Sequence, residues 1–517
     1  MSSPFSTVSG LKPGRSEQNL SYEKKFTANM GQLIPVMCDE VVPGDVIRLG
    51  NQIVLRFPPL VAPIMHEIYV YTHYFHVPYR LLCEYFEEFI TGGVDGEFST
   101  PLPTWKGRGQ GHQFYLGSLA DYIGHPVGVA INEECEPLDF PRTAYNFIWN
   151  EYYRDQNHME EVPLDNEDIL LRCWRPKDMF NTALPWQQRG VSPALPIGGS
   201  VRFLGDIEPL NWTGGRTADN LANFAGFLSF QNTYVGDESI KMGYDNLSPF
   251  EGKKDRLKNW LNNNEVDGFS VNIADIRTAF QVQKWMERNA RAGVRYTEFL
   301  RAHFGVTPTD ERLDRPEYIG GTRSPIIISE VLQTSESQNS PQGNMAGHGI
   351  TVDRNNVGTY RVKEFGLIIG IMSVMPQSSY QQGIDRQWLR RTRYDFYFPE
   401  FAQLSEQAIF NAELFVNDNE PEKNMETFGY TGRYNEMRRK RNQVCGLMRT
   451  DLAHWHLGRI FLDPPALNEE FLLCNPESFK RVFAVQDEPQ LIVTYGNIIT
   501  AYRPMPAENN PGLIDHF

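Results

Sequence analysis

The sequence lacks the features that mark membrane-spanning and secreted proteins. No uninterrupted apolar run approaches the roughly 20 residues of a transmembrane helix. The N-terminal stretch "MSSPFSTVSGLKPGRSEQNL" has no cationic start followed by an apolar segment, so we expect no signal peptide. The N-x-S/T matches at Asn19, Asn211 and Asn246 are then not expected to carry glycans.

Cysteine is scarce, with six residues in a chain of 517. They are far apart, and no close pair resembles a zinc knuckle or a redox motif. Six cysteines in this length do not make a disulfide framework. We therefore expect buried free thiols in a reducing compartment, at positions Cys38, Cys83, Cys135, Cys173, Cys445 and Cys474.

Motifs for catalysis, metals and cofactors are also missing. "GRGQG" (107–111) has no P-loop lysine and hydroxyl, and no Gly-x-Ser-x-Gly elbow occurs. "HWH" (454–456) offers two imidazoles, but no third ligand stands at a suitable spacing, which favours structural histidines. No nucleophile, base and orienting group can be assembled. The sequence therefore predicts no enzyme, no metal site and no cofactor.

What the chain does have is aromatic content, at 12%, and many turn formers, with 42 Gly and 34 Pro. Aromatic side chains bury large areas in cores and interfaces. The formal net charge of −15 repels nucleic acid at long range. Any contact with nucleic acid must come from a local basic patch or through a separate basic partner.

Four stretches predict strands, and two of them are apolar on both alternating sets, as in strands covered on both faces. These are residues 40–50, 66–78, 361–377 and 488–506, the first opening with a Pro-Gly turn. Helices are predicted over 79–90, 142–155 and 273–304, the last with a possible break at Gly293. Strands separated by long excursions fit a jelly roll with enlarged loops, among several all-β or α+β options.

Residues 199–270 differ from their surroundings because they are rich in Gly and Asn and only weakly periodic. They indicate an insertion on a scaffold that consists of residues 1–198 and 271–517.

Two basic segments are candidates for contacts with nucleic acid. "RRTRYDFYFPEF" (390–401) interleaves Arg390, Arg391 and Arg393 with aromatic rings, a pattern also found in grooves for single strands. We expect instead a strand or extended segment with mostly packed rings, whose arginines form ion pairs or face the interior. The second segment is a denser run and gives the best phosphate-binding candidates, Arg438, Arg439, Lys440 and Arg441.

Several blocks, in order and over nearly the whole chain, resemble the major capsid protein of microviruses, and best the gokushovirus branch. They include "GQLIPVMCDEVVPGDVIRL" (31–49), "YNFIWNEYYRDQN" (145–157), "RRTRYDFYFPEFAQLSEQA" (390–408) and "FGYTGRYNEMRRKRNQVCGLMR" (428–449). The resemblance implies a mainly β fold, an eight-stranded antiparallel jelly-roll barrel with large helical and loop insertions. It also implies a T=1 icosahedral shell around circular single-stranded DNA, assembled in the bacterial cytoplasm, with no enzymatic activity and no membrane insertion.

The resemblance further implies partners: other copies of the chain, the DNA genome, a small basic DNA-binding virion protein and a pilot protein. Residues 199–270 fall where gokushovirus coats carry a variable insertion at the three-fold axes. We therefore expect this segment to contact a host receptor, with the aromatic candidates Trp212, Phe227, Tyr234 and Trp260. The alternatives from other classes are an aromatic-rich carbohydrate-binding module and a glycoside hydrolase.

Overall fold

The computed structural model describes residues 14–94, 97–109, 111–174, 178–191, 273–292, 295–307, 309–332 and 345–507. The chain divides into two compact units, one of Met1–Val191 with Trp285–Phe517 and one of Ser192–Lys284. The predicted insertion at 199–270 falls in the second unit and lies outside the described residues. No described helix is both long and apolar enough to cross a membrane.

The described residues contain fourteen β-strands. They are β1 Ser16–Asn19, β2 Tyr22–Ala28, β3 Ile34–Val41, β4 Val46–Arg56, β5 Ile68–Pro78, β6 Glu317–Pro325, β7 Ile327–Leu332, β8 Met345–Arg361, β9 Gly366–Pro376, β10 Ser379–Tyr380, β11 Gln407–Phe410, β12 Thr427–Thr431, β13 Asn442–Gln443 and β14 Leu491–Arg503. The four predicted strand regions correspond to β4, β5, β9 and β14.

Two antiparallel sheets hold most of these strands. One has the order β1-β14-β4-β8-β7, with β2 also pairing with β14, and the other has the order β3-β9-β5-β6. β6 and β7 are separated only by Ile326, so the chain passes there from one sheet to the other. Two small pairs, β10-β13 and β11-β12, lie outside them.

A shared hydrophobic core joins the two sheets. Ile53 and Leu55 of β4 and Val493 of β14 belong to the same buried cluster as Val70 of β5 and Val374 of β9. The other face of the four-stranded sheet packs on a second cluster built with helices. With both faces covered, β9 is buried at every position, which explains why its sequence is apolar at nearly every position.

One glycine of β9 leaves room for a tyrosine ring on the neighbouring strand of the same sheet. A Cβ atom at Gly370 would lie 2.8 Å from the ring of Tyr74 on the neighbouring strand β5. The Tyr74 hydroxyl in turn lies 2.9 Å from that of Tyr495 on β14, so a buried polar contact also links the two sheets.

Eight α-helices are described in these ranges. They are α1 Phe86–Thr91, α2 Leu119–Ile123, α3 Phe140–Ile148, α4 Ile273–Ala292, α5 Tyr296–Phe304, α6 Asn411–Leu414, α7 Asn435–Arg438 and α8 Glu469–Leu472. The predicted helix over 273–304 is thus two helices, α4 and α5, and the one over 142–155 is α3, continued by a π-turn at Trp149–Tyr153. The prediction over 79–90 is only partly right, since Tyr79–Leu81 is a 3-10 turn before α1.

The fold is therefore mostly antiparallel β-sheet with some helices, as predicted for its class. No closed barrel is found among the described strands, so the expected eight-stranded jelly roll stays a prediction. All six cysteines are free, but Cys135 and Cys445 are exposed rather than buried as expected, because both lie in irregular surface segments.

Candidate nucleic-acid interface

The structure brings the two basic segments of the sequence together. Arg433 donates to the carbonyl oxygen of Tyr394 at 3.1 Å, and the Tyr434 hydroxyl donates to that of Phe396 at 3.0 Å. The rings of Tyr397 and Tyr434 meet edge to face at 5.1 Å. We call the exposed side chains of residues 388–398 and 437–440 the basic aromatic surface.

The prediction of a strand or extended segment over 390–401 is only partly right, because this segment forms two 3-10 turns, Arg393–Asp395 and Pro399–Phe401, and is extended only between them, at Phe396 and Phe398. The Asp395 carboxylate accepts hydrogen bonds from the backbone N–H of Arg391 and from both the N–H and the hydroxyl of Thr392. Burial alone would raise the pKa of the Asp395 carboxyl, but these hydrogen bonds lower it below its usual value. A capping carboxylate therefore turns the chain where alternation of residue types indicated a strand.

The prediction that the rings are mostly packed is wrong. Tyr394, Phe396, Tyr397 and Phe398 are between 43% and 54% exposed, and Trp388 is 70% exposed. A turn cannot place alternate side chains on one buried face as a strand does. The rings therefore stand on the surface of the subunit.

The basic residues fall into two groups, and the first is internal. Arg441 lies 2.6 Å from Asp385 and donates to two backbone carbonyl oxygens. Arg390 lies 3.4 Å from the buried Glu436 and over the ring of Phe396. Arg390 neutralises a buried carboxylate and Arg441 a half-buried one, which is a structural task.

The second group is exposed and carries uncompensated charge. It consists of Arg391, Arg393, Arg438, Arg439 and Lys440. Among the described residues, none of these five has a carboxylate within ion-pair distance. Their side-chain hydrogen bonds are with neutral groups, such as the bond from Lys440 to the Gln387 side chain at 3.2 Å and from Arg393 to the Tyr394 hydroxyl at 2.8 Å.

Reasoning from the sequence missed two contributors to this surface. Trp388 stands just before the basic segment, and Glu436 decides which arginine is neutralised. The acidic residue within "RYNEMRRKRNQ" was a visible signal, but its partner Arg390 is remote in sequence. The attachment candidates Trp212, Phe227, Tyr234 and Trp260 lie outside the described residues.

A separate cavity of about 360 Å³ lies beside β5 and has aromatic walls, as the carbohydrate alternatives require. Asp310 is the one carboxylate among its described lining residues, and it is paired with Arg315 at 2.7 Å. Glycoside hydrolysis commonly needs two carboxyl groups that flank the sugar bond. The cavity therefore gives no support to the hydrolase alternative.

Comparison with known proteins defines the class as a viral shell protein. The family model described as "Capsid protein (F protein)" matches residues 6–513. The chain is 32% identical to capsid protein VP1 of Chlamydia phage 1 and 32% identical to that of Bdellovibrio phage phiMH2K, in each case over 99% of this chain and 98% of the relative. Capsid protein VP1 of Spiroplasma virus 4 is 30% identical over 98% of this chain and 97% of the relative's own length.

The chain belongs to the phage F capsid protein family. This confirms the resemblance to microvirus coats and gives the chain a structural role as a major capsid protein of the virion. A capsid protein assembles with further copies of itself, and the carbohydrate-binding alternative has no support among these relatives.

Proposed function

We propose that the chain builds a T=1 icosahedral shell around a circular single-stranded DNA genome and contacts that genome through the basic aromatic surface. The observation that carries the genome contact is the set of five exposed cations that have no carboxylate partner in the described part of the chain, whose net charge over all 517 residues is −15. Phosphate groups are natural counter-ions for such a cluster.

Arg390 and Arg441 have no part in this contact because their charges are already neutralised within the subunit. The phosphate-binding set is thereby Arg391, Arg393, Arg438, Arg439 and Lys440. An acidic chain with one small cationic surface still repels most of a genome, so a small basic virion protein supplies the remaining positive charge. A pilot protein completes the proposed set of virion partners.

For the fold, we propose that the two sheets belong to an eight-stranded jelly roll with helical and loop insertions. Support comes from their antiparallel order and shared core, together with the family. For residues 199–270 we propose a surface insertion that binds a host receptor. The chain itself is proposed to have no catalytic activity.

The genome contact is tested by the triple variant Arg438→Gln, Arg439→Gln, Lys440→Gln. The affinity for single-stranded DNA is measured at several salt concentrations. Removal of three phosphate contacts should make the negative slope of log affinity against log salt concentration shallower by about 2. Packaged DNA falls while shells still form. The matched control replaces the exposed Arg48, Arg354 and Arg361 of the six-stranded sheet with Gln and leaves the slope unchanged.

Two results would contradict the proposal. One is a triple variant with normal packaging and an unchanged salt dependence. The other is loss of shell assembly with DNA binding intact, which would assign these cations to contacts between subunits.

A further inference from the structure

The exposed rings of the basic aromatic surface have no parallel stacking partner. Trp388 forms no aromatic pair with any described residue, and the ring pairs of Tyr394 and Tyr397 are edge-on, with interplanar angles of 67° and 66°. Arg390 covers one side of the Phe396 ring at 5.3 Å, and that ring is still 54% exposed. Flat aromatic faces therefore remain open to solvent.

Open rings beside unpaired cations suit one kind of ligand. A single strand of DNA repeats a negative charge and a flat base at every nucleotide, so it can satisfy both features at once. A duplex presents the same phosphates but hides its base faces in the stack. A second copy of this chain would have to bring carboxylates to five cations as well as apolar surface to the rings.

We propose that unpaired bases stack on Trp388, Phe396 and Tyr397 while the adjacent cations hold the phosphates. This inference rests on the proposed genome contact and deepens it: the surface selects single strands through ring stacking, without reading base sequence. Tyr394 has less freedom, because Arg393 lies over its ring at 4.8 Å and bonds its hydroxyl.

The contacts around Trp388, Phe396 and Tyr397 favour these three rings as stacking sites. Tyr434 contacts the Tyr397 ring edge to face and donates a hydrogen bond to the Phe396 carbonyl oxygen, so the backbone that carries both rings is anchored to it. Trp388 ends a 3-10 turn next to Gln387, which contacts Lys440. Lys440 therefore contacts the same turn that carries the indole.

The test measures the affinity of the whole chain for three labelled probes at one salt concentration. The probes are an oligothymidine of about 20 nucleotides, an abasic strand of the same length and charge, and the matching duplex. Wild-type protein is expected to bind the oligothymidine at least about tenfold more tightly than the abasic strand. The double variant Trp388→Ala, Phe396→Ala keeps only Tyr397 of the three rings and loses most of this preference, while its affinity for the abasic strand is unchanged.

Two further variants guard against misfolding and general effects. Trp388→Phe with Phe396→Tyr keeps a ring at each position and retains the preference for oligothymidine. Tyr115→Ala, which removes a ring of similar exposure elsewhere, changes nothing. Circular dichroism checks that each variant is folded.

The outcomes separate this inference from the proposed function. Equal binding of oligothymidine and the abasic strand by wild type overturns stacking but keeps the phosphate contact. If the wild-type protein binds neither the oligothymidine nor the abasic strand, the proposed genome contact itself is overturned. Ring variants that bind DNA normally but no longer form shells assign the rings to contacts between subunits and overturn the inference.

Discussion

The Arg441 guanidinium lies 2.6 Å from the Asp385 carboxylate and also bonds the carbonyl oxygens of Glu413 and Gly383. Its neighbour Arg439 is exposed, and no described carboxylate pairs with it. Two arginines of one basic run therefore serve different tasks, one inside the subunit and one at its surface.

This difference predicts that the same substitution at the two positions has unequal effects on the free energy of unfolding. Arg441→Ala leaves Asp385 and two carbonyl oxygens without their partner, which should lower the free energy of unfolding by about 3 kcal/mol. Arg439→Ala should change it by less than about 0.5 kcal/mol, because its side chain forms no hydrogen bond or ion pair with the described residues. Denaturant unfolding of the two proteins measures both values, and equal losses would contradict the assignment.

The same comparison shows what the sequence could predict about the candidate site. Local density of Arg and Lys located the surface, because exposed charge is a property of the run itself. The division between Arg439 and Arg441 could not be predicted, because Asp385 and Glu413 reach Arg441 only through tertiary structure. Buried strands were predictable for a related reason: β9 is apolar at nearly every position, and that pattern has one simple structural solution.

The secondary-structure prediction failed where a single polar side chain determines the local backbone conformation. Alternation of rings with polar residues predicted a strand or extended segment at 390–401, but Asp395 captures three hydrogen-bond donors and turns the chain. The pairing of strands into two sheets was likewise out of reach, since partners such as β4 and β14 are more than four hundred residues apart.

His456 gives a prediction for the dependence of stability on pH. Its Nδ1 accepts a hydrogen bond from the Gly458 N–H at 2.9 Å, and its Nε2 lies 2.7 Å from the Met448 carbonyl oxygen, so the neutral ring is the bonded form. Burial lowers the pKa of His456, the bond to Met448 raises it, and the charge of Arg481 lowers it again, with a net decrease. The unfolded chain therefore takes up the proton first, and stability falls as the pH drops below about 6.5.

Replacing His456 with Asn should flatten this loss of stability between about pH 6.5 and pH 5. His454→Asn is the matched control two residues away and should leave the acid sensitivity of wild type unchanged. Thermal unfolding of the three proteins across this range measures the effect. An identical pH profile for His456→Asn and wild type would show that other groups cause the acid sensitivity.

The buried hydroxyl pair between the sheets predicts the energy of one polar contact. Tyr495→Phe removes the partner of Tyr74 at 2.9 Å and also the bond to Thr72 at 3.3 Å. Leaving a buried hydroxyl with weaker partners should cost about 1–2 kcal/mol of unfolding free energy. Tyr502→Phe on the same strand is the control, because that side chain is only half-buried at the end of β14, and its loss should be near zero.

Residues 199–270 provide the last prediction, which concerns attachment to the host. The segment is rich in Gly and Asn and only weakly periodic, which a scaffold strand does not tolerate but a surface excursion does. A variant in which a short linker replaces residues 199–270 retains all of α4 and the sheets of the first unit. Shells should form with normal DNA content but fail to adsorb to host cells, as measured by the particles left free after mixing.

A narrower variant, with Trp212, Phe227, Tyr234 and Trp260 changed to Ala, should reduce adsorption while the insertion remains. Failure of the deletion variant to assemble would instead place this segment in the wall of the shell, and normal adsorption of both variants would exclude it from receptor binding.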